Sequence, residues 1–183
     1  MKKMFLGVLI LTIFAAISAQ AQISYDAVIS YDQPTGDFSD CAKSGFGIAG
    51  DVFYSLPSLP NLGLGGRLAW NRFSLDDSVP GIEGGNESII EILPSIRYSI
   101  TPTGSQFGFF GQIGIGLYLW SYTEETTFGD FEDDGNDFGF YFGGGATGKF
   151  TDKMSFIFMP LFHIINTENE STTYFSLNFG ITL

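Results

Sequence analysis

The segment Tyr174-Phe175-Ser176-Leu177-Asn178-Phe179-Gly180-Ile181-Thr182-Leu183 decides the fold of this chain. Its odd-numbered positions are apolar, whereas small and polar residues occupy most of the even-numbered ones. A period of two residues is that of a β-strand, whose side chains point alternately to opposite faces. The segment is therefore predicted to form a strand with one apolar and one mainly polar face.

The same long alternation recurs along the whole chain, which a soluble β-sandwich rarely shows. In the segment 107–120, Phe109, Ile113 and Leu117 share one face, and glycine is the commonest residue on the other. Several such segments reach the roughly 9–11 residues that a tilted transmembrane strand needs. Eight strands are predicted in this way, over residues 23–32, 46–56, 62–73, 88–100, 107–120, 137–150, 154–166 and 173–183. The segment 154–166 is apolar on both faces, so its inner face is expected to pack inside a barrel.

The segments between the predicted strands alternate in length. Those at 57–61, 101–106 and 151–153 are short, those at 33–43, 75–87 and 124–136 are longer, and the last, at 167–170, is brief. An even-stranded outer-membrane barrel has short periplasmic turns and longer external loops. The fold class predicted from these patterns is all-β, a closed antiparallel up-and-down transmembrane β-barrel of eight strands.

The first residues have the layout of a secretory signal peptide. Lys2 and Lys3 precede an apolar run from Met4 to Ala16, which leads to Ala19-Gln20-Ala21. The run is shorter than the roughly 20 residues that span a bilayer as a helix, and it ends in an A-x-A cleavage site. We predict a cleavable signal peptide over residues 1–21 and a barrel domain over residues 22–183.

Charge and cysteine content exclude several classes of protein. Two of the eight basic residues lie in the predicted signal peptide, which leaves six against twenty acidic residues and a net charge of −14. Nucleic acid is thus no plausible partner, because phosphate binding needs a basic face. The single cysteine, Cys41, cannot form an internal disulfide and stands too far from the cleavage site to carry a lipoprotein anchor.

The chain resembles the small OmpA/OmpX-like outer-membrane β-barrel family over essentially all of Gln22 to Leu183. The resemblance depends on the signal peptide, the eight alternating strands, the loop lengths and the segment from Tyr174 to Leu183. It implies recognition of the last strand by the barrel-insertion machinery, contact with outer-membrane lipid and lipopolysaccharide, and no cofactor. The family usually ends on an aromatic residue, where this chain has Leu183.

The inner face of the predicted barrel carries charges of both signs. A barrel of eight strands is only wide enough inside to be filled by side chains, so a charge there has to be paired. A symmetric hairpin at the turn 57–61 would place one such acid opposite one such base. The predicted interior charge network consists of Asp26, Asp51, Arg67, Glu91, Arg97 and Lys149, with Asp51 opposite Arg67.

Two other groups of residues are candidate sites. His163 is the only histidine, and no serine follows it closely as in the lipid A deacylases, so a packed or hydrogen-bonded histidine is expected and no catalytic residue is assigned. The acidic segment 124–137 offers Asp130, Asp133 and Asp134 as weak calcium ligands. It lacks the spacing of an EF-hand, so no metal site is predicted; a solvated loop is expected, with divalent-ion bridging to lipopolysaccharide as an alternative.

The function predicted from the sequence is that of a non-enzymatic bacterial outer-membrane barrel, which maintains the envelope or contacts an extracellular ligand through its external loops. Three alternatives stay open at this point: a narrow channel for small polar solutes, a lipid-active outer-membrane enzyme, and a soluble β-sandwich or lipocalin-like carrier. Fold alone does not choose among them.

The signal peptide gives the first testable prediction. Expressed with its leader, the protein should have Gln22 as its first residue and should sediment with outer membranes, because the cleavage site is followed by strands and by no membrane helix. N-terminal sequencing and membrane fractionation measure both. Recovery as soluble periplasmic protein would contradict the membrane assignment.

Overall fold

A computed structural model describes residues 23–78, 84–101, 105–126, 129–151, 153–167 and 171–183. The predicted signal peptide lies outside these residues. The described chain forms eight strands and a short 3-10 helix, Gly36–Asp40. The strands are β1 Ile23–Thr35, β2 Ala42–Leu56, β3 Leu59–Leu75, β4 Gly84–Ile100, β5 Phe107–Thr126, β6 Gly129–Lys149, β7 Ser155–Asn166 and β8 Ser171–Thr182.

Each strand pairs antiparallel with the next, and β8 pairs with β1, so the sheet closes into a barrel. The closing ladder runs from Asp26 opposite Thr182 to Thr35 opposite Thr173. It continues one step further, where Tyr25 and Leu183 exchange two backbone hydrogen bonds of 3.1 and 2.8 Å. The structure confirms the predicted eight-stranded up-and-down barrel.

The two faces of the sheet have the predicted polarity. Large apolar side chains point outward and stay exposed, among them Ile29, Ile48, Leu68, Ile113, Phe142 and Phe179. The inner face is buried, and on β7 it is apolar as expected, with Ile157, Met159, Leu161 and Ile165 packed inside. Among the described residues, no helix is both long and apolar enough to cross a membrane.

The connections β2–β3, β4–β5 and β6–β7 lie at one end of the barrel, and the other four connections lie at the opposite end. Outer-membrane barrels project furthest on their external side, and it is at this second end that β6 extends past β7. The end that holds the turn between β2 and β3 is therefore called the periplasmic end here. The opposite end, which holds the 3-10 helix and the β5–β6 connection, is called the external end.

The predicted loop at 124–136 is wrong, because β5 and β6 continue through it as a hairpin. Tyr122 pairs with Asp133 and Glu124 with Phe131, up to Thr126 opposite Gly129. The backbone groups of the two strands satisfy one another beyond the barrel wall, while the carboxylates stay in solvent. The low β-propensity of Asp and Gly is overridden by this pairing.

The outward face of β5 gives a graded prediction. Its apolar run from Phe107 to Leu119 is centred on Ile113, and Ser121 follows on the same face nearer the external end. Ile113→Arg should lower the free energy of unfolding by about 2–4 kcal/mol, Leu117→Arg by less, and Ser121→Arg by about 0–1 kcal/mol, because the cost of a lipid-facing cation falls from the bilayer midplane to the interface. Denaturant titration in lipid vesicles measures the series, and equal effects at the three positions would contradict the lipid-facing assignment.

Candidate functional site

Arg67 is the centre of the barrel interior. It lies on the inner face of β3 and is 3 % exposed. Its Nη1 is 2.9 Å from Asp51 Oδ2 on β2, and its Nε is 3.2 Å from Glu91 Oε2 on β4. Its Nη2 donates to Asn178 Oδ1 on β8 at 2.7 Å. This buried cation thus binds two carboxylates and an amide from three other strands, which offsets its removal from water.

Glu91 extends this network towards the external end. Its Oε1 accepts hydrogen bonds from Asn71 Nδ2 and from the Tyr174 hydroxyl, both at 2.6 Å. His163 Nδ1 is 3.5 Å from the same oxygen. Both carboxylate oxygens of Glu91 therefore have polar partners within the barrel.

His163 is fully buried between aromatic rings. Its ring lies parallel to that of Tyr174 on β8, with 4.4 Å between the centroids and 6° between the planes. On the other side, the centroid of the Tyr141 ring on β6 lies 5.5 Å from that of His163. The Tyr118 hydroxyl is 3.2 Å from His163 Nδ1. The histidine is packed and hydrogen-bonded, as the sequence predicts.

Gln112 links the environment of Arg67 to that of a second arginine, Arg97. The Nε of Arg97 donates to Gln112 Oε1 at 2.8 Å, and Gln112 Nε2 lies 3.4 Å from Asp51 Oδ1 and 2.5 Å from the Tyr141 hydroxyl. The Tyr141 hydroxyl in turn donates to Ser95 Oγ at 2.7 Å. The interior is therefore one connected network.

Gly114 leaves the space that the Tyr141 ring occupies in this network. A Cβ at Gly114 would lie 2.2 Å from Tyr141 Cε1 and 2.6 Å from Ser95 Oγ. Any side chain larger than hydrogen would displace the ring, so the absence of a side chain at Gly114 on β5 makes room for Tyr141 on the neighbouring strand β6.

Arg97 lies at the periplasmic end of the interior. Its Nη2 is 2.5 Å from Asp26 Oδ2, and Thr182 Oγ1 donates to the other oxygen of Asp26 at 2.7 Å. The guanidinium lies 4.1 Å from the centroid of the Phe53 ring and 4.5 Å from that of Phe110. Cation–π contacts of this kind add to the ion pair.

The two arginines neutralise two carboxylates that the fold places side by side. Asp26 and Asp51 are directly opposite in the β1–β2 ladder, where like charges repel. Each has its own guanidinium, Asp26 that of Arg97 and Asp51 that of Arg67. The Asp51–Arg67 pairing has the predicted register.

Two charges depart from the predicted interior set. Lys149 does not join the network, because it stands at the end of β6, where the strand leaves the barrel, and is exposed to solvent. Asp32 is buried and absent from the predicted set, although it shares the sequence parity of Asp26. Its carboxylate accepts hydrogen bonds from Ser30 Oγ at 2.9 Å and Ser176 Oγ at 2.5 Å.

The external end is dominated by acidic side chains. At the base of the loop after β3, Lys43 forms ion pairs with Asp76, at 3.4 Å, and with Asp77. The backbone N–H of Ser78 lowers the pKa of Asp76, and Lys43 lowers that of Asp77. The β5–β6 hairpin projects beyond β7, since β6 pairs with β7 only from Phe138.

The weak metal candidates Asp130, Asp133 and Asp134 lie along the projecting part of β6 and are exposed. In the part of the chain that the structure describes, no three His, Cys, Asp or Glu side chains come together as a metal site. The acidic hairpin is thus an extended charged surface.

Comparisons with known proteins place the fold. A search of curated proteins finds no significant match to the sequence. Neisserial surface protein A superposes with a TM-score of 0.63 at 14% identity, over 90% of this chain and 98% of that one. The attachment invasion locus protein Ail of Yersinia pestis, in complex with the heparin analogue sucrose octasulfate, gives 0.53 at 15% identity, over 89% and 97%. A major outer membrane protein of Thermus thermophilus gives 0.51 at 12% identity, over 88% and 98%.

These three comparisons show a shared fold. The sequence identities are too low for a ligand of those proteins to be inferred for this one. The sequence itself matches a family model described as the outer membrane protein beta-barrel domain, over residues 7–182. That match covers nearly the whole chain and agrees with the closed barrel and its outward-facing apolar surface. The protein therefore belongs to the outer membrane β-barrel family.

Proposed function

We propose that this protein is a non-enzymatic outer-membrane barrel with a closed interior, exported by a cleaved signal peptide, which acts at the cell surface through its external end. The observation that carries the proposal is the β5–β6 hairpin, which projects past β7 and is ordered by backbone pairing up to Thr126 and Gly129. An ordered projection outside the membrane offers a surface that a partner can bind without a large loss of conformational entropy.

The filled interior supports a role other than transport. A chain of contacts runs along the lumen from Arg97 through Gln112, Asp51 and Arg67 to Glu91, and these side chains are almost fully buried. Eight-stranded barrels of this kind have interiors filled by side chains. The interior charges act in this proposal as a structural core.

The surroundings of His163 support a non-enzymatic role. A hydrolase needs a nucleophile within hydrogen-bond reach of its base. Among the described residues, His163 forms its hydrogen bond with Tyr118, and no serine or threonine hydroxyl bonds to it. We infer that His163 serves packing.

The charge of the external end limits the partners. The projecting part of the hairpin, residues 122–137, carries no basic residue. Its acidic side chains include Glu124, Glu125, Asp130, Glu132, Asp133 and Asp134. A polyanion such as the sucrose octasulfate bound by Ail would be repelled. We propose a partner that is cationic or that reaches the carboxylates through divalent ions, such as ion-bridged lipopolysaccharide.

The remaining partners belong to the envelope. The outward apolar face is proposed to contact outer-membrane lipid, and the β8 segment from Tyr174 to Leu183 is proposed to be recognised by the insertion machinery. Both follow from the family's membrane location.

The interior network gives a stability prediction. Arg67→Ala leaves Asp51 and Glu91 without their shared cation, so the free energy of unfolding should fall by about 3–5 kcal/mol, and by less if water enters. Arg72→Ala is the matched control, because Arg72 is an exposed arginine on the same strand and should change stability little. Guanidinium or urea titration in detergent micelles measures both variants, and equal midpoints would contradict a structural role for the ion cluster.

Conductance tests the closed interior. The wild type and folded Arg67→Ala protein should both lack steady conductance in planar bilayers, because the remaining side chains still fill the lumen. Steady wild-type conductance whose ion selectivity changes in Arg67→Ala would overturn the closed interior and favour the channel.

Complementation tests the surface role. A strain lacking this protein should be deficient in surface attachment or in detergent resistance, and the wild type should restore the deficient trait. A variant with Asp130, Glu132, Asp133 and Asp134 changed to the corresponding amides should insert normally and fail to restore it. Full restoration of the deficient trait by that variant would contradict the proposed role of the hairpin.

A further inference from the structure

A cavity of about 300 Å³ opens at the external mouth of the barrel, above the interior network. Buried Ile89 and Ile165 contribute to its lining, and its other walls come from the outer ends of β4, β5, β6 and β8 and from Thr167, the residue that follows β7. This volume is at the lower end of the range of small-molecule sites. The side chains of interest in its wall are Glu87, Trp120, Tyr122, Phe131, Asp133 and Asp137.

Three of these side chains are aromatic and two of them are held in place by hydrogen bonds. The Trp120 indole Nε1 donates to Asp137 Oδ2 at 2.7 Å, and the Tyr122 hydroxyl donates to Glu124 Oε2 at 2.6 Å. Phe131 adds a third ring from the facing strand. Aromatic faces attract cations, and tryptophan does so most strongly.

The other three side chains are carboxylates without a cation. In the described part of the chain, every Lys or Arg ion pair lies elsewhere, either in the interior or at Lys43. Glu87 has no hydrogen-bond partner among the described residues, while Asp133 and Asp137 accept one bond each from Asp134 N and from Trp120. Burial raises the pKa of Glu87 to about 7, so Asp133 and Asp137 supply most of the negative charge at neutral pH and Glu87 adds to it at higher pH. The cavity is therefore negatively charged as well as aromatic.

We infer that this cavity binds an organic cation, an alkylammonium compound with an apolar body of a few carbon atoms. The aromatic rings and the carboxylates both favour a diffuse positive charge, and the apolar floor favours alkyl groups over a bare metal ion. Anions and strongly hydrated neutral sugars fit neither property. The inference rests on the proposed surface function and gives its external end a ligand class.

Tryptophan fluorescence provides a direct binding measurement. The described chain has Trp70 and Trp120, and Trp70 lies on the barrel wall against Phe46, away from the cavity. In a Trp70→Phe background, the emission reports Trp120. The protein is kept in a maltoside detergent at low ionic strength, because phosphocholine headgroups would compete for the site and salt would screen its charge.

Choline is the probe, and its uncharged carbon isostere 3,3-dimethyl-1-butanol is the control ligand. Choline should change the Trp120 emission saturably, and the neutral isostere should bind about tenfold more weakly or not at all, since it keeps the shape and loses the cation–π and charge terms. Absence of a saturable change with choline, or equal affinity for the two compounds, overturns the inference.

Variants locate the site. Glu87→Gln and Asp133→Asn should each weaken choline binding several-fold, and the double variant by about tenfold or more. Asp37→Asn is the matched control, because Asp37 is an exposed carboxylate of the 3-10 helix at the same end of the barrel and does not line the cavity, so this variant should bind as the wild type does. Migration on unheated gels checks that each variant is folded, and equal weakening by Asp37→Asn would overturn the cavity as the site.

The two proposals fail separately. If choline does not bind while the hairpin variant still fails to complement, the ligand class is wrong and the surface role stands. If choline binds with the expected variant pattern while the hairpin variant complements fully, the cavity is a cation site and the proposed surface role is wrong.

Discussion

The structure depends on the pairing of β1 with β8. In hydrocarbon, an unpaired backbone N–H or C=O group cannot form a hydrogen bond with water, so a membrane-spanning sheet must have no edge. The ladder from Asp26 opposite Thr182 to Thr35 opposite Thr173 removes the only two edges that an eight-stranded sheet would have. Once the sheet closes, its strand number sets the width of the interior and leaves room only for side chains.

That width explains the chemistry of the interior. Arg67 cannot reach water, so it takes its partners from Asp51, Glu91 and Asn178 on three other strands. Two of these strands, β2 and β4, flank β3, whereas Asn178 on β8 is 111 residues from Arg67. The ion cluster therefore connects strands from β8 round to β4, which is much of the barrel circumference. Replacement by well-packed apolar residues could give equal stability, so the value of the cluster lies in fixing how the strands are placed relative to one another.

Much of this arrangement could be predicted from the sequence, because the period of two determines which residues face inward. Parity and a symmetric turn were enough to place Asp51 opposite Arg67, and to bury His163. Parity says nothing about depth, however, so it assigns Lys149 to the interior although that residue stands where β6 ends. Nor does the sequence predict the hairpin beyond Tyr122, because Asp, Glu and Gly suggest a loop and the strand pairing that orders them is tertiary. The external cavity could not be predicted at all, since Glu87, Trp120 and Asp133 become neighbours only when the strands extend past the membrane.

The closing ladder also bears on how the barrel is assembled. The hydrogen bond between Thr182 and Asp26 joins residues 156 positions apart, and contacts of such long range slow folding, because a large loop must be ordered before they form. Strand β1 leaves the ribosome first, but one of its two edges cannot pair until β8 has been synthesised. Until then, both prospective edge strands expose apolar side chains and unpaired amides, which is the condition in which chains aggregate. A nascent barrel of this topology therefore has to be kept unfolded by chaperones until β8 is available to pair with β1. The yield of folded protein should depend more on the length of that interval than on the stability of the folded barrel.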